Sequence, residues 1–218
     1  MPHDPPTVQQ VRAGGQDGRP QVHVIDDDPG LRRVLSQLLT KKGHSVVAHP
    51  DADSFTALAP PLPHGCILLD VALPGADGIS LYRRIAGDPD TLPVVFLSGC
   101  ADVATCASAM RAGAIDFLPK PVDARQLLAA VTRALAVDQA RRMRLAMRQS
   151  VEHRMALLTT REREVLVHVM DGRLNKQIAA DLQIAEKTIK VHRARGLHKM
   201  GVRSAVELVR VVDRAFLA

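Results

Sequence analysis

The chain has 218 residues, of which 46% are hydrophobic and 24% charged, a composition typical of one large folded domain or two small ones. No apolar run reaches the roughly 18–20 residues that span a bilayer, which excludes a transmembrane protein. Residues 1–20 contain no apolar stretch, so we expect no secretory signal. Cys66, Cys100 and Cys106 form no CxxC pair and favour a reducing cytoplasm over a disulfide framework.

The charge of the chain is unevenly distributed. Residues 21–136 carry 10 basic and 12 acidic side chains, whereas residues 137–218 carry 17 basic and 9 acidic ones, a net charge of +8. This asymmetry predicts that the C-terminal part binds a polyanion, most simply nucleic acid. A solvated basic surface without a partner is the alternative. The aromatic content of 2% argues against a single-stranded ligand, whose bases stack on aromatic side chains.

Short apolar runs alternate with helical periodicity between residues 21 and 136. The apolar runs predict five strands, over Val22–Ile25, Val46–Ala48, Cys66–Leu69, Val94–Leu97 and Ile115–Phe117. The segments between and after them predict helices over Leu31–Leu39, Asp51–Ala59, Ile79–Ala86, Val103–Ala112 and Ala124–Leu135. This order predicts an α/β fold, a (βα)5 doubly wound parallel sheet with helices on both faces.

Polar side chains follow the strands at the edge where open parallel sheets bind ligands. They are Asp26 and Asp27 after the first strand, Asp70 after the third, Ser98 after the fourth and Lys120 after the fifth. Carboxylates about 4 Å apart repel by roughly 4 kcal/mol at an effective dielectric constant near 20, so we predict a cation among them. All-oxygen ligation at this charge density suits Mg²⁺. Such a site could neutralise a phosphoryl group and orient an aspartate as nucleophile.

These residues give the N-terminal part a specific resemblance. The segments VIDDD (24–28), LLD (68–70), LSG (97–99) and DFLPKP (116–121) resemble the receiver domain of two-component response regulators. The resemblance implies that Asp70 accepts a phosphoryl group and that Lys120 contacts it. It implies Mg²⁺ ligation by Asp26, Asp27, Asp70 and the main-chain carbonyl of Ala72. Ser98 and Phe117 resemble the hydroxyl and aromatic switch residues, and the Lys120–Pro121 bond resembles the family's cis peptide.

Each of these pieces has a plainer interpretation in isolation. Asp26–Asp28 could be a solvated turn, Ser98 a loop serine and Phe117 a core residue, but their placement at successive strand ends favours the site. An aspartyl-phosphate phosphatase of the haloacid dehalogenase class is the enzymatic alternative. It would need a second aspartate two residues after the nucleophile, where this chain has Ala72. Neither a GxGxxG nor a GxxxxGK[ST] phosphate loop is present.

The C-terminal part is helical by pattern. Leu127 to Leu158 contains no glycine or proline, which predicts that the last receiver helix continues into a helical linker. After it, Thr159 or Thr160 can cap a helix that ends at Gly172. A short helix over Lys176–Leu182, a basic one from about Glu186 and a fourth over Ser204–Phe216 complete the pattern. Two short helices joined by a tight turn predict a helix-turn-helix with a basic recognition helix.

The segments LTTREREVL (158–166), NKQIA (175–179), KTIKVHR (187–193) and KMG (199–201) resemble the LuxR-type four-helix DNA-binding domain of the NarL/FixJ family. The resemblance implies that Lys190, Val191, Ala194 and their neighbours face base edges. The remaining DNA-binding residues are the outward-facing Lys187 and, for the DNA backbone, Asn175, Lys176, Thr188, His192, Arg193 and Lys199.

The complete prediction is a cytoplasmic, non-enzymatic response regulator with a disordered tail (1–20), a receiver domain (21–136), a helical linker (137–156) and a DNA-binding domain (157–218). Its expected partners are a sensor histidine kinase, double-stranded DNA, a second copy on activation and RNA polymerase. One alternative stays open at this point: the receiver could act as a protein-interaction module without phosphorylation, although the complete five-residue pocket argues against it. An RNA-binding antiterminator output is disfavoured because the C-terminal part matches the DNA-binding pattern.

Overall fold

A computed structural model describes residues 19–58, 64–85, 91–99 and 103–216 of the chain. The predicted disordered tail lies almost wholly outside these residues, as does Cys100. The chain divides into two compact units, of which the first ends at Gln139 and the second begins at Ala140. Among the described residues no helix combines the length and apolarity needed to cross a membrane.

The first unit contains the predicted parallel sheet. Its strands are β1 (Gln21–Ile25), β2 (Ser45–His49), β3 (Gly65–Asp70), β6 (Val94–Ser98) and β7 (Asp116–Pro119), and their order is β2-β1-β3-β6-β7. All four strand pairs are parallel. Its helices are α1 (Pro29–Lys41), α2 (Ala52–Thr56), α3 (Gly78–Ile85), α4 (Val103–Arg111) and the first part of α5 (Ala124–Ala156), which continues past Gln139 into the second unit. These observations confirm the predicted fold class.

Helices cover both faces of the sheet, and successive side chains of a strand point to opposite faces. On one face Ile67, Leu69 and Phe96 pack with residues of α2, α3 and α4. On the other face Leu68 and Leu97 pack with residues of α1 and α5. Continuous apolar strands such as β3 are therefore explained by two layers of helices rather than by one.

Three local predictions differ from the structure. A short antiparallel pair, β4 (Ala72–Leu73) and β5 (Ala76–Asp77), follows Asp70, and its two-residue strands are too short to show a periodicity of two. The helix predicted over Asp51–Ala59 spans only Ala52–Thr56, and Leu58 after it packs against the core; Ala59 lies outside the described residues. The last strand extends to Pro119, which pairs with Ser98, and so brings Lys120 directly to the sheet edge.

Helix α5 is a single helix of 33 residues, as the absence of glycine and proline predicted. Its Asp138 is fully buried, and the carboxylate accepts a hydrogen bond of 2.9 Å from the backbone N–H of Gly65 at the start of β3. Gly65 itself has no room for a side chain, since a Cβ would lie 1.8 Å from the carbonyl oxygen of Gln21. The packing of the first unit therefore reaches into the predicted linker.

The second unit contains α6 (Thr160–Met170), α7 (Asn175–Leu182), α8 (Glu186–Lys199) and α9 (Ala205–Phe216). Thr159 caps α6 in a capping box with Glu162, which decides between the two predicted caps. Val165, Ile178 and Ile189 join α6, α7 and α8 in one core cluster. Helix α8 packs closely on α6, since a Cβ on Gly196 would lie 3.0 Å from the Leu166 side chain.

Candidate functional site

The acidic residues predicted at the sheet edge lie together. One carboxylate oxygen from each of Asp26, Asp27 and Asp70 lies within 4.8 Å of the others. Asp26 and Asp70 are buried and Asp27 is exposed, so the cluster opens to solvent on one side. They meet because β1 and β3 are paired in parallel, with Ile25 opposite Leu69. Asp28 is the N-cap of α1, where its carboxylate accepts from the backbone N–H groups of Gly30 and Leu31.

Lys120 supplies a positive charge to this cluster. Its Nζ lies 2.7 Å from Oδ2 of Asp26 and 2.7 Å from Oδ2 of Asp70. Burial alone would lower the pKa of Lys120, but the hydrogen bonds and charges of Asp26 and Asp70 outweigh burial and raise that pKa. The Lys120–Pro121 peptide bond is cis, as the resemblance implied. The ammonium group is thus held in its charged form between two buried carboxylates.

The donor set fits a magnesium ion. Three carboxylates and one ammonium group leave two negative charges, which a divalent cation would offset, and oxygen ligands are those that Mg²⁺ prefers. Ala72 lies at the same place, since its backbone N–H donates to Oδ1 of Asp70 over 3.2 Å. The residues that the resemblance assigns to the metal are therefore brought together.

The two expected switch residues lie on neighbouring strands. Ser98 is the buried last residue of β6, and its carbonyl accepts a hydrogen bond of 2.7 Å from the backbone N–H of Lys120. Phe117 on β7 lies opposite Phe96 and is half-buried against the core that α3 and α4 share. Ser98 is thereby bonded to Lys120, and Phe117 belongs to the core that includes residues of α4.

Arg32 is a pocket residue that sequence reasoning missed. Its Nη1 lies 2.5 Å from the main-chain oxygen of Asp26, so that α1 holds the end of β1. The available signal was a basic residue one turn into the helix that follows the acidic cluster. That signal is weak, because arginine on a helix is usually a solvated surface residue.

The predicted DNA-binding residues lie on α7 and α8 of the second unit. On α8, Lys187, Thr188, Lys190, Val191 and Ala194 are exposed, whereas Ile189 and Gly196 are buried. His192 and Arg193 are half-buried at the margins of this surface. Helix α7 contributes Asn175 and the exposed Lys176. The surface is a basic helix presented by a helix-turn-helix.

Two of these residues have partners within the unit that the sequence did not reveal. Nη1 of Arg193 donates to Oδ1 of Asn175 over 2.9 Å. Nζ of Lys199 lies 2.7 Å from Oε2 of the buried Glu162. The hydrogen bond from Lys199, together with the backbone N–H of Thr159, lowers the pKa of Glu162. Lys199 thus contributes to the packing of α8 on α6, and its contact with DNA stays a prediction.

The fold and the two sites define a class of protein: a receiver domain joined to a helix-turn-helix output domain, as in transcriptional response regulators. Comparison with known families agrees. Residues 22–132 match the response regulator receiver domain, and residues 156–212 match the bacterial regulatory proteins of the luxR family.

Individual relatives match over nearly the whole chain. The transcriptional regulatory protein FixJ of Bradyrhizobium diazoefficiens is 37% identical over 194 residues, which are 89% of this chain and 95% of that protein. A structure of the response regulator StyR is 39% identical, covers 90% of this chain and 99% of its own, and superposes with a TM-score of 0.81. A full-length FixJ structure from B. japonicum is 36% identical, covers 91% and 98%, and has a TM-score of 0.55.

The chain belongs to the NarL/FixJ family of response regulators. It is a phosphorylation-regulated transcriptional regulator, which confirms the predicted family and function class; a receiver that works without phosphorylation is not favoured. Its receiver domain implies a histidine kinase as partner, and its luxR-type domain implies DNA. The matched families are DNA-binding regulators rather than enzymes of metabolism.

Proposed function

We propose that Asp70 is the phosphoacceptor of this regulator. The observation that carries the proposal is the pairing of Lys120 with both Asp26 and Asp70 inside the acidic cluster. A carboxylate oxygen of Asp70 attacks the phosphorus of a kinase phosphohistidine, the P–N bond breaks, and the electron pair of that bond returns to the imidazole. Lys120 lies close enough to Asp70 to neutralise the transferred group.

Mg²⁺ is the proposed cofactor, held by Asp26, Asp27, Asp70 and the main-chain carbonyl of Ala72. When bound, it would offset the negative charge that accumulates as the phosphoryl group approaches the carboxylates. The charge balance of the cluster supports this assignment.

The proposed output is a change in the face formed by α4, β7 and the start of α5. A phosphoryl group brings about −1.5 to −2 charge. We propose that Ser98 and Phe117 respond to it, that this face then pairs with a second copy of the chain, and that the dimer presents two copies of α8 to half-sites about one helical turn apart on DNA.

On DNA, we propose that Lys190, Val191 and Ala194 face bases, while Asn175, Lys176, Thr188, His192, Arg193 and Lys199 serve the backbone. The outward-facing Lys187 is a further proposed DNA-binding residue. The exposure of most of these side chains on α7 and α8 supports the proposal. The chain would act in the cytoplasm, where bacterial DNA is found, and RNA polymerase is a further proposed partner. The proposed boundaries remain 21–136 for the receiver, 137–156 for the linker and 157–218 for the output domain.

The first experiment is intact-mass measurement after incubation of the full chain with a small acyl phosphate and Mg²⁺. We expect a single phosphoryl adduct that depends on Mg²⁺ and is absent from Asp70→Asn. Size-exclusion chromatography of the same samples should show a dimer only where the adduct forms. Equal phosphorylation of Asp70→Asn would contradict the site assignment, and an adduct without any change in size would contradict the dimer.

A further inference from the structure

The exposed face of α8 consists of two rows of side chains. Helical residues four apart lie above one another. One row contains Lys187, Val191 and Arg195, and the adjacent row contains Lys190, Ala194 and His198. All six are exposed, and the buried Ile189 and Gly196 lie on the opposite side of the helix. A partner that covers this face therefore meets both rows.

Most of the cationic groups of α8 are already engaged. Nζ of Lys190 lies 3.1 Å from Oε1 of Glu186. Arg193 donates to Asn175, and Lys199 is paired with the buried Glu162. Among the residues that the structure describes, neither Lys187 nor Arg195 forms a hydrogen bond or an ion pair. The Arg195 guanidinium is thus ready to bind a ligand without first breaking a contact.

The middle of the face lacks side chains that can read bases by hydrogen bonds. Val191 and Ala194 present only methyl groups, which can contact a thymine methyl group but donate nothing. Arg195 is the next residue along the chain from Ala194 and lies one turn beyond Val191. Its planar guanidinium can donate two parallel hydrogen bonds, whereas the ammonium group of Lys187 acts as a point charge.

We propose that Arg195 reads a guanine in the major groove, donating to O6 and N7, and that it supplies the main hydrogen-bonded specificity of the second half of α8. Guanine is the base whose major-groove edge offers two acceptors at the spacing of an arginine fork. The inference rests on the proposed insertion of α8 into the groove. It does not depend on the chemistry of Asp70.

The test begins with selection of binding sites from a random duplex pool by the full chain, treated with the phosphodonor and Mg²⁺. Binding to the selected site is then compared for Arg195→Ala, Arg195→Lys and Arg214→Ala. The last variant removes the same charge from an exposed position on α9. Circular dichroism verifies that each variant is folded.

We expect Arg195→Ala to lose about 10- to 100-fold in affinity for the selected site and to lose the preference for guanine at one position of each half-site. Arg195→Lys keeps the charge but lacks the planar fork, and it should therefore weaken the same preference. Replacing that guanine by 7-deazaguanine, which lacks N7, should weaken the unsubstituted protein and leave Arg195→Ala unaffected. Arg214→Ala should select the original site.

A different pattern would overturn the inference. If Arg195→Ala weakens binding to selected and unrelated DNA equally, Arg195 contacts phosphate instead. If base preference is unchanged in both Arg195 variants, Arg195 is not a reading residue. If the unsubstituted chain selects no sequence although intact mass shows the phosphoryl adduct, then the insertion of α8 into the groove fails as well, which separates that outcome from a failure of Arg195 alone.

Discussion

Two lysines of this protein form ion pairs with carboxylates that belong to other helices or strands. Lys120 on the β7–α5 loop balances carboxylates from β1 and β3, and Lys199 on α8 balances Glu162 on α6. Each lysine joins segments far apart in the chain. Removing one partner of such a pair leaves a buried charge unpaired, and this costs more than the loss of an exposed pair.

Glu162 gives a residue-scale prediction about pH. Because the folded-state pKa of Glu162 is lowered, its contribution to stability is present above the unfolded pKa of about 4.3 and is lost as pH falls through the folded value. Glu162→Gln should therefore lower the free energy of unfolding by about 1–2 kcal/mol at pH 7, and by less at pH 3. Urea denaturation followed by circular dichroism measures both values.

Glu164→Gln is the matched control for this prediction. Glu164 lies on the same helix and pairs with Arg161, but both side chains are well exposed to solvent. We therefore expect the free energy of unfolding of Glu164→Gln to change by at most about 1 kcal/mol. An equal loss of unfolding free energy in the two variants would show that the buried pair of Glu162 with Lys199 contributes no more than the exposed pair of Glu164 with Arg161.

A hydrogen bond to Asp138 connects helix α5 to strand β3 of the sheet. The Asp138 carboxylate accepts from the backbone N–H of Gly65, beside Cys66. Burial, together with the nearby charge of Asp138, raises the pKa of Cys66 to about 12. The thiol is therefore unreactive as long as β3 stays folded and Cys66 stays buried. The end of β3 opposite to Asp70 therefore depends on a residue of the last receiver helix.

We expect Asp138→Ala to destabilise the first unit by about 1–3 kcal/mol, because it leaves a buried N–H without its acceptor. Labelling of Cys66 by a thiol reagent, resolved by peptide mass, should become faster in that variant. Asp138→Asn, which keeps an acceptor oxygen, should lie closer to the unsubstituted chain. If Cys66 is labelled at the same rate in Asp138→Ala, the hydrogen bond from Gly65 to Asp138 does not protect the start of β3.

The elements differ in how far the sequence could predict them. The central strands β1, β3 and β6 were predictable because their apolar residues are buried on both faces, whereas β2 and β7 at the two edges are only partly buried and give shorter apolar runs. The meeting of Asp26, Asp70 and Lys120 follows from the rule for parallel sheet edges. The contact of Asp138 with Gly65 spans 73 residues, and an aspartate within a charged helix gives no sign of burial. Arg32, Arg193 and Lys199 were equally hidden, since a basic side chain on a helix predicts solvent rather than a partner.

At the scale of the whole molecule, the net charge of +8 lies in residues 137–218, which contain the DNA-binding helices. We therefore expect the affinity for DNA to depend on salt concentration. Each phosphate contact contributes about −0.9 to the slope of log affinity against log salt concentration. If phosphorylation makes a dimer that binds with two copies of α8, the slope should roughly double. If a monomer is merely released to bind, the slope should stay the same.

Fluorescence anisotropy with a labelled duplex, titrated at several salt concentrations, measures this slope for the treated and untreated full chain. Asp70→Asn, treated in the same way, is the control and should keep the slope of the untreated protein. An unchanged slope despite tighter binding would contradict a dimer on DNA.

Gly196 makes the helical structure of α8 depend on the rest of the domain. Glycine in a helix interior costs about 1 kcal/mol relative to alanine, and α8 has only 14 residues, so an isolated peptide of this sequence would hold little helix in water. Its order comes from seating on α6, where the missing side chain permits close approach to Leu166. DNA recognition here is a cooperative property of the folded domain, and short peptide mimics of α8 should fail as inhibitors.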